Sequence, residues 1–199
     1  VRYRLTSKIN LLVEYTHYVV SYDRSSILDS REQYLLGGIE WRLTEKSFGR
    51  FKAGYEVKRF DHGDSYKGYS FELQLEHRLT AKTQLALSAY RRTNEARVAG
   101  TAFTITTGAR LTISHMLTSK VTAAVKLAYV NDRHRGMSLT SLSETAVSDS
   151  LYQAGIEVQY AFRRWLRARA EYLFTRKDSS DPAFEYRSNS LLLGITGAF

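Results

Sequence analysis

The residues most able to do chemistry are Asp132 and His134. Two positions apart in an extended chain, their side chains share a face, so the carboxylate can orient the imidazole as a general base. Such a pair needs further acidic groups facing it. The nearest candidates, Asp61 with Asp64 and Asp178 with Asp181, lie three apart and point to opposite faces. A solvated loop turn is the simpler reading of Asp132 and His134. The other histidines, His17, His62, His77 and His115, have no metal-ligand spacing, so no metal is expected. The chain has no cysteine, which removes disulfides, thiol catalysis and thiolate metal sites. No cofactor is expected, and the chain is not read as an enzyme.

A larger charged set alternates with apolar residues. Its basic members are Arg42, Lys52, Lys58, Arg78, Arg92, Arg110, Lys126, Arg167 and Arg169; its acidic members are Glu14, Glu40, Glu56, Glu72, Glu76, Glu157 and Glu171. The net charge of +9 invites a nucleic-acid reading. The basic residues are instead spread along many extended segments with no single stripe, so no nucleic-acid partner is expected. If the apolar faces meet lipid, each of these charges must point to a lumen, because facing hydrocarbon would cost about 2–4 kcal/mol near the midplane. Two readings stay open: a paired network that fills a narrow lumen, or a polar conduit whose charges select solutes.

The elements that carry these charges read as long strands. Charges interrupt every apolar run before the roughly 18 residues a transmembrane helix needs, so an α-helical membrane protein is excluded. Mean hydropathy is −0.35, yet the chain holds 14 Tyr and 9 Phe. Period-two alternation marks strands at 9–22, 33–43, 50–60, 69–79, 84–93, 103–117, 121–131, 151–162, 166–175 and 188–199, after a short stub at 1–5. The loops between alternate strands are 23–32, 61–67, 94–102, 132–149 and 177–186, the last holding the single proline, Pro182. The closing strand places Leu191, Leu193, Ile195, Gly197 and Phe199 on one face, with Ser190, Leu192, Gly194, Thr196 and Ala198 opposite.

Every second connection is tight, and the tight ones repeat a pattern: Leu5-Thr6-Ser7-Lys8, Leu43-Thr44-Glu45-Lys46, Leu79-Thr80-Ala81-Lys82 and Leu117-Thr118-Ser119-Lys120. Repetition once per two strands marks a structure built from hairpins. A soluble sandwich would use shorter strands and turns richer in Gly and Pro. The fold expected is a single domain over residues 1–199: an all-β, transmembrane, antiparallel up-and-down barrel of ten full strands plus an amino-terminal strand stub. Aromatic girdles are expected at both interfaces. Trp41, Phe51, Phe162, Trp165 and Phe199 fall near the short turns; Tyr22, Tyr69, Phe103, Tyr129, Tyr152, Phe174 and Tyr186 fall near the loops. His77 and His115, each two residues before the Leu of a short turn, are read as interfacial. The stub runs toward the first turn, as the closing strand does, so it has no place in an even barrel. The chain is therefore read as the carboxy-terminal part of a larger barrel, or as a ten-strand barrel with an amino-terminal arm.

The Leu-Thr-x-Lys turns, the strand lengths and the closing Phe199 resemble the β-barrel porin 2 family, along the whole chain. The resemblance implies a bacterial (Gram-negative) outer-membrane location and a porin or export conduit, with polysaccharide as the substrate class. It also implies outer-membrane lipid as a partner and insertion machinery that reads the carboxy-terminal strand. Missing strands or a periplasmic export component are further partners it allows. Members of that family are usually much longer. The alternative function is a non-transporting structural or adhesive scaffold with a self-plugged lumen. The third reading is an omptin-like surface protease. Omptins are ten-stranded barrels whose Asp-x-His pair, here Asp132 and His134, faces an acidic pair that this chain lacks.

Overall fold

A computed structural model of the chain describes residues 1–23, 29–61, 65–95, 102–135 and 148–197. They form eleven strands: β1 Arg2–Arg4, β2 Ile9–Val20, β3 Ser30–Thr44, β4 Ser47–Phe60, β5 Ser65–Arg78, β6 Thr83–Glu95, β7 Phe103–Met116, β8 Val121–Arg135, β9 Ser148–Arg163, β10 Leu166–Ser179 and β11 Tyr186–Gly197. Each pairs antiparallel with the next, so sheet order is chain order. Ten long strands after one short strand is the arrangement the alternation predicts. The strands run further into the loops than alternation marks, because polar residues at the loop ends pair as well as apolar ones. Ser30–Glu32, Ser65–Lys67, Asn94–Glu95, Asp132–Arg135, Ser148–Asp149 and Lys177–Ser179 are all strand. Among the described residues the only helical element is a single turn, Pro182–Phe184, whose first turn is capped by Asp181 accepting from Ala183 N at 3.0 Å.

The repeated turn has a physical cause. At each one the threonine hydroxyl accepts the backbone N–H of the lysine two residues on, Thr6 from Lys8, Thr44 from Lys46, Thr80 from Lys82 and Thr118 from Lys120, at 3.1–3.2 Å. This side-chain turn takes the place of the backbone pairing lost at the hairpin. The same lysines' carbonyls then accept from the strand beyond: Arg42, Met116 and Ala161 donate to Lys8, Lys82 and Lys120 at 2.8 Å, as Arg78 does to Lys46. Ser47 and Thr83 lie 2.7 and 2.8 Å from the Nδ1 atoms of His77 and His115. Replacing Thr80 by Val should cost about 0.5–1.5 kcal/mol per lost hydrogen bond, read as a lower denaturant midpoint in lipid vesicles.

The two faces are inverted relative to a water-soluble protein. The outer face exposes Leu11, Val13, Leu35, Tyr55, Leu127 and Ile156, with Leu193 and Ile195 76% and 77% exposed. A continuous apolar face of this kind belongs in hydrocarbon. The buried apolar cluster is small, comprising Phe60, Ala102, Phe103 and Ile105 with Tyr66 against it. Among the described residues the sheet is open: β1 pairs only with β2, β11 only with β10, and β2 is bonded to β1 and β3.

Two inward-facing glycines set close approaches. A Cβ on Gly54 would lie 1.9 Å from the Leu35 carbonyl oxygen, and one on Gly38 would lie 2.3 Å from that of Phe51. Backbone cannot yield as a side-chain tip can. Gly54→Ala should therefore cost about 1–3 kcal/mol, the range of overpacking, measured by the same vesicle unfolding titration.

Candidate functional site

The inner wall of the sheet is the site, and lysines organise it. On β4, Lys52 Nζ sits 3.1 Å from Glu14 on β2 and 2.9 Å from Glu72 on β5. On β8, Lys126 Nζ sits 2.6 Å from Glu157 on β9 and 2.9 Å from Glu171 on β10. In both cases one carboxylate lies two strands away, and the residue opposite the lysine on the strand between is a glycine, Gly38 or Gly155. A Cβ on Gly38 would lie 2.9 Å from the Lys52 Cγ. The glycine lets the lysine cross the intervening strand. Glu40 shows the reverse arrangement, holding Arg2 at 2.5 Å and Arg50 at 2.7 Å.

The third lysine holds the sheet's strongest departure from regularity. The β5–β6 ladder ends at Phe71 and Arg91. Beyond that point β6 swings across the inner wall. Ser70 Oγ donates to the Arg91 carbonyl at 2.7 Å, and Thr93 N donates to Glu56 at 3.4 Å. The Tyr34 hydroxyl lies 2.7 Å from Thr93 Oγ1. Lys58 then joins Glu32, at 2.5 Å, to Glu95 on the inturned strand. Tyr22 donates to Glu95 at 2.7 Å; burial first, then the neighbouring Glu95 carboxylate, push the Tyr22 phenol up to about 12. Glu56 and Lys58 are each 1% exposed beneath this cover.

The inturned end corrects one expected girdle residue. Phe103 does not face outward: it is buried, with its ring centroid 6.0 Å from that of Phe60 and 4.9 Å from that of Tyr66. Strand parity fails there because the outer side of β7's loop end lies against the inner wall of β4 and β5. The sequence held a signal, since Phe60 and Tyr66 fall on the charged parity and need an apolar cover. Tyr22 likewise turns to the inner side, donating to Glu95, and Tyr186 shares the parity of the inner residues through its register with Lys177. Phe51, Phe162, Trp165, Tyr69 and Tyr129 are exposed. Trp41 and Phe174 are half-buried, and Trp41 lies over Gly49. Phe199 lies outside the described residues, as do His62 and Asp64.

Asp132 and His134 share the inner face, but His134 sits in a buried relay that leaves Asp132 out. Thr104 Oγ1 is 3.0 Å from His134 Nδ1, and His134 Nε2 is 3.2 Å from Asp149. Asp149 also takes Lys177 at 2.8 Å and Ser179 at 2.6 Å. Asp132 accepts separately from Thr106 at 2.6 Å. Thr104, His134 and Asp149 are at most 9% exposed. The relay ties β7, β8, β9 and β10 together at their loop ends. Among the described residues no group of His, Asp and Glu could hold a metal ion.

Arg42, Arg78, Arg110 and Arg167 line the same wall, exposed and with no carboxylate partner among the described residues. Arg92 stacks on Tyr90 at 5.1 Å, Glu76 is exposed, and Arg169 lies 4.0 Å from Glu157. Alternation did not find Glu32, Arg50, Glu95, Asp149 or Lys177, although parity places Arg50 beside Lys52. The others sit in strand ends that alternation assigned to loops.

A charged wall of long strands behind an apolar outer face thus occupies the whole chain. A family model described as putative beta-barrel porin 2 matches residues 1–199. No curated protein matches the chain. The match spans every strand and turn described above, and the chain belongs to the putative beta-barrel porin 2 family.

Proposed function

We propose that this chain forms the wall of an outer-membrane conduit for hydrophilic solutes, with polysaccharide as the substrate class. The observation that carries the reading is the inversion of the sheet: an exposed apolar outer face backed by an inner face of charges, hydroxyls and amides. A groove of about 540 Å³ on that wall brings Tyr18, Tyr34 and Tyr90 together with Lys52, Glu72 and Arg92. Tyrosine faces beside hydrogen-bonding side chains suit sugar rings. In a bilayer every strand edge must be paired, so the open edges of β1 and β11 call for further strands that complete a wider barrel. Cysteines introduced along β2 and β11, in a chain that has none, test this directly. Ready cross-linking within one chain would show a ten-strand closure instead.

The conduit reading is tested in planar bilayers. Open current that neutral dextran reduces is the expected result, and no current from the folded protein would overturn it. One observation favours a second reading, a non-transporting, self-plugged scaffold: the inturned end of β6 lies across part of the inner wall and covers Glu56 and Lys58. Lys58→Met separates the two, since current that appears only in the variant would mean the native wall is plugged.

A further inference from the structure

The wall holds some of its cations in ion pairs, Arg2 and Arg50 on Glu40 among them, and leaves others without one. Each of Lys52, Lys58 and Lys126 is held between two carboxylates, whereas Arg42, Arg78, Arg110 and Arg167 have no carboxylate partner among the described residues. Arg42, Arg78 and Arg167 lie within a few residues of the short turns, as does the buried acid Glu40 already held by Arg2 and Arg50, while the buried acids Glu32, Glu56 and Asp149 lie at the loop ends. There the wall opens into a groove of about 660 Å³, with Arg42 and Arg78 joined by Lys46, Gln84, Thr112 and Ser114. Glu45 and Glu76 line it too, fewer than the cations. The Arg42 guanidinium lies over Phe48, 5.7 Å from its ring centre, as does that of Arg50.

We infer that this groove at the short-turn mouth is an oxyanion-selecting vestibule, taking carboxylate- or sulfate-bearing saccharides in preference to neutral ones. The reason is chemical. A guanidinium presents paired N–H donors that match a carboxylate or sulfate two at a time, and it stays charged at any working pH. An arginine ion-paired to glutamate offers neither; Arg42 and Arg78, which line the groove, make no ion pair among the described residues. The groove's cations outnumber its acids, and a net positive charge along a low-dielectric wall also concentrates anions at the mouth. The inference rests on the conduit reading for its transport consequence and stands apart from it for binding.

Two measurements on the intact, folded protein test it. In planar bilayers under a KCl gradient, the reversal potential should lie on the chloride side. It should shift toward potassium in Arg42→Gln/Arg78→Gln, with conductance retained. In detergent, polygalacturonate should bind in a salt-sensitive way, dextran of matched length should not, and the double variant should lose most of the affinity. Cation selectivity, or equal binding of polygalacturonate by the native and double-variant proteins, would overturn the vestibule. Absence of any current would overturn the conduit reading and leave the vestibule to be decided by the binding arm. Gln153→Lys, on the same wall away from this groove, controls for general charge.

Discussion

Replacing Lys58 with methionine is expected to cost about 3–5 kcal/mol of folding stability, the range for breaking a buried ion pair from one side. Methionine keeps most of the volume, so the loss isolates the charge. Lys58 is 1% exposed and joins Glu32 on β3 to Glu95 on the inturned end of β6. Without it two carboxylates face each other with no cation between them, and β6 has no reason to remain across the wall. Unfolding titrations in lipid vesicles, followed by Trp41 and Trp165 fluorescence, would measure the loss. The double variant Lys58→Met/Glu95→Gln should recover part of it, because it removes one of the stranded charges. Glu56→Gln is the informative contrast. Glu56 Oε1 has no hydrogen-bond partner, and the contacts of Oε2 are long. Neutralising this buried carboxylate should leave stability unchanged or raise it. Equal losses in Lys58→Met and Glu56→Gln would mean that packing, not charge pairing, holds the inturned strand.

Leu127→Lys should destabilise the membrane-inserted state by about 2–4 kcal/mol, the cost of a cation on the lipid face near the midplane. Leu127 stands in the middle of β8 on the outer face, between Leu111 and Ala154, and is 46% exposed. Gln153→Lys, on the inner face of the adjacent strand, should cost only the hydrogen bond to Thr175, about 0.5–1.5 kcal/mol. The folded fraction in vesicles, read by heat-dependent gel mobility, separates the two. Similar losses at both positions would mean that Leu127 does not meet hydrocarbon. The pair tests the assignment of faces with two substitutions of the same charge on neighbouring strands.

Much of this was legible along the chain. Alternation placed Lys52, Lys126, Glu157 and Glu171 on one parity, and the register then set each lysine beside its acids. The Leu-Thr-x-Lys repeat marked the short turns, where the threonine hydroxyls do the bonding. Strand ends were harder to see, because a pairing that uses backbone atoms needs no apolar pattern. Asp149 and Lys177 were therefore assigned to loops, and the His134 relay went unseen.

By itself the sequence determined the strand number, the antiparallel order, the two faces and the turn chemistry. Each of these depends on near neighbours and on a period of two, which the chain displays directly. Only the tertiary structure decided where parity breaks. β6 leaves β5 after Arg91 because groups far apart in sequence, Tyr22, Tyr34, Glu56 and Lys58, converge on Thr93 and Glu95. That convergence turns Phe103 from an outward aromatic into the cover over Phe60 and Tyr66. No local pattern encodes such a contact, since its energy comes from pairing charges and burying rings that meet only after the sheet has curled.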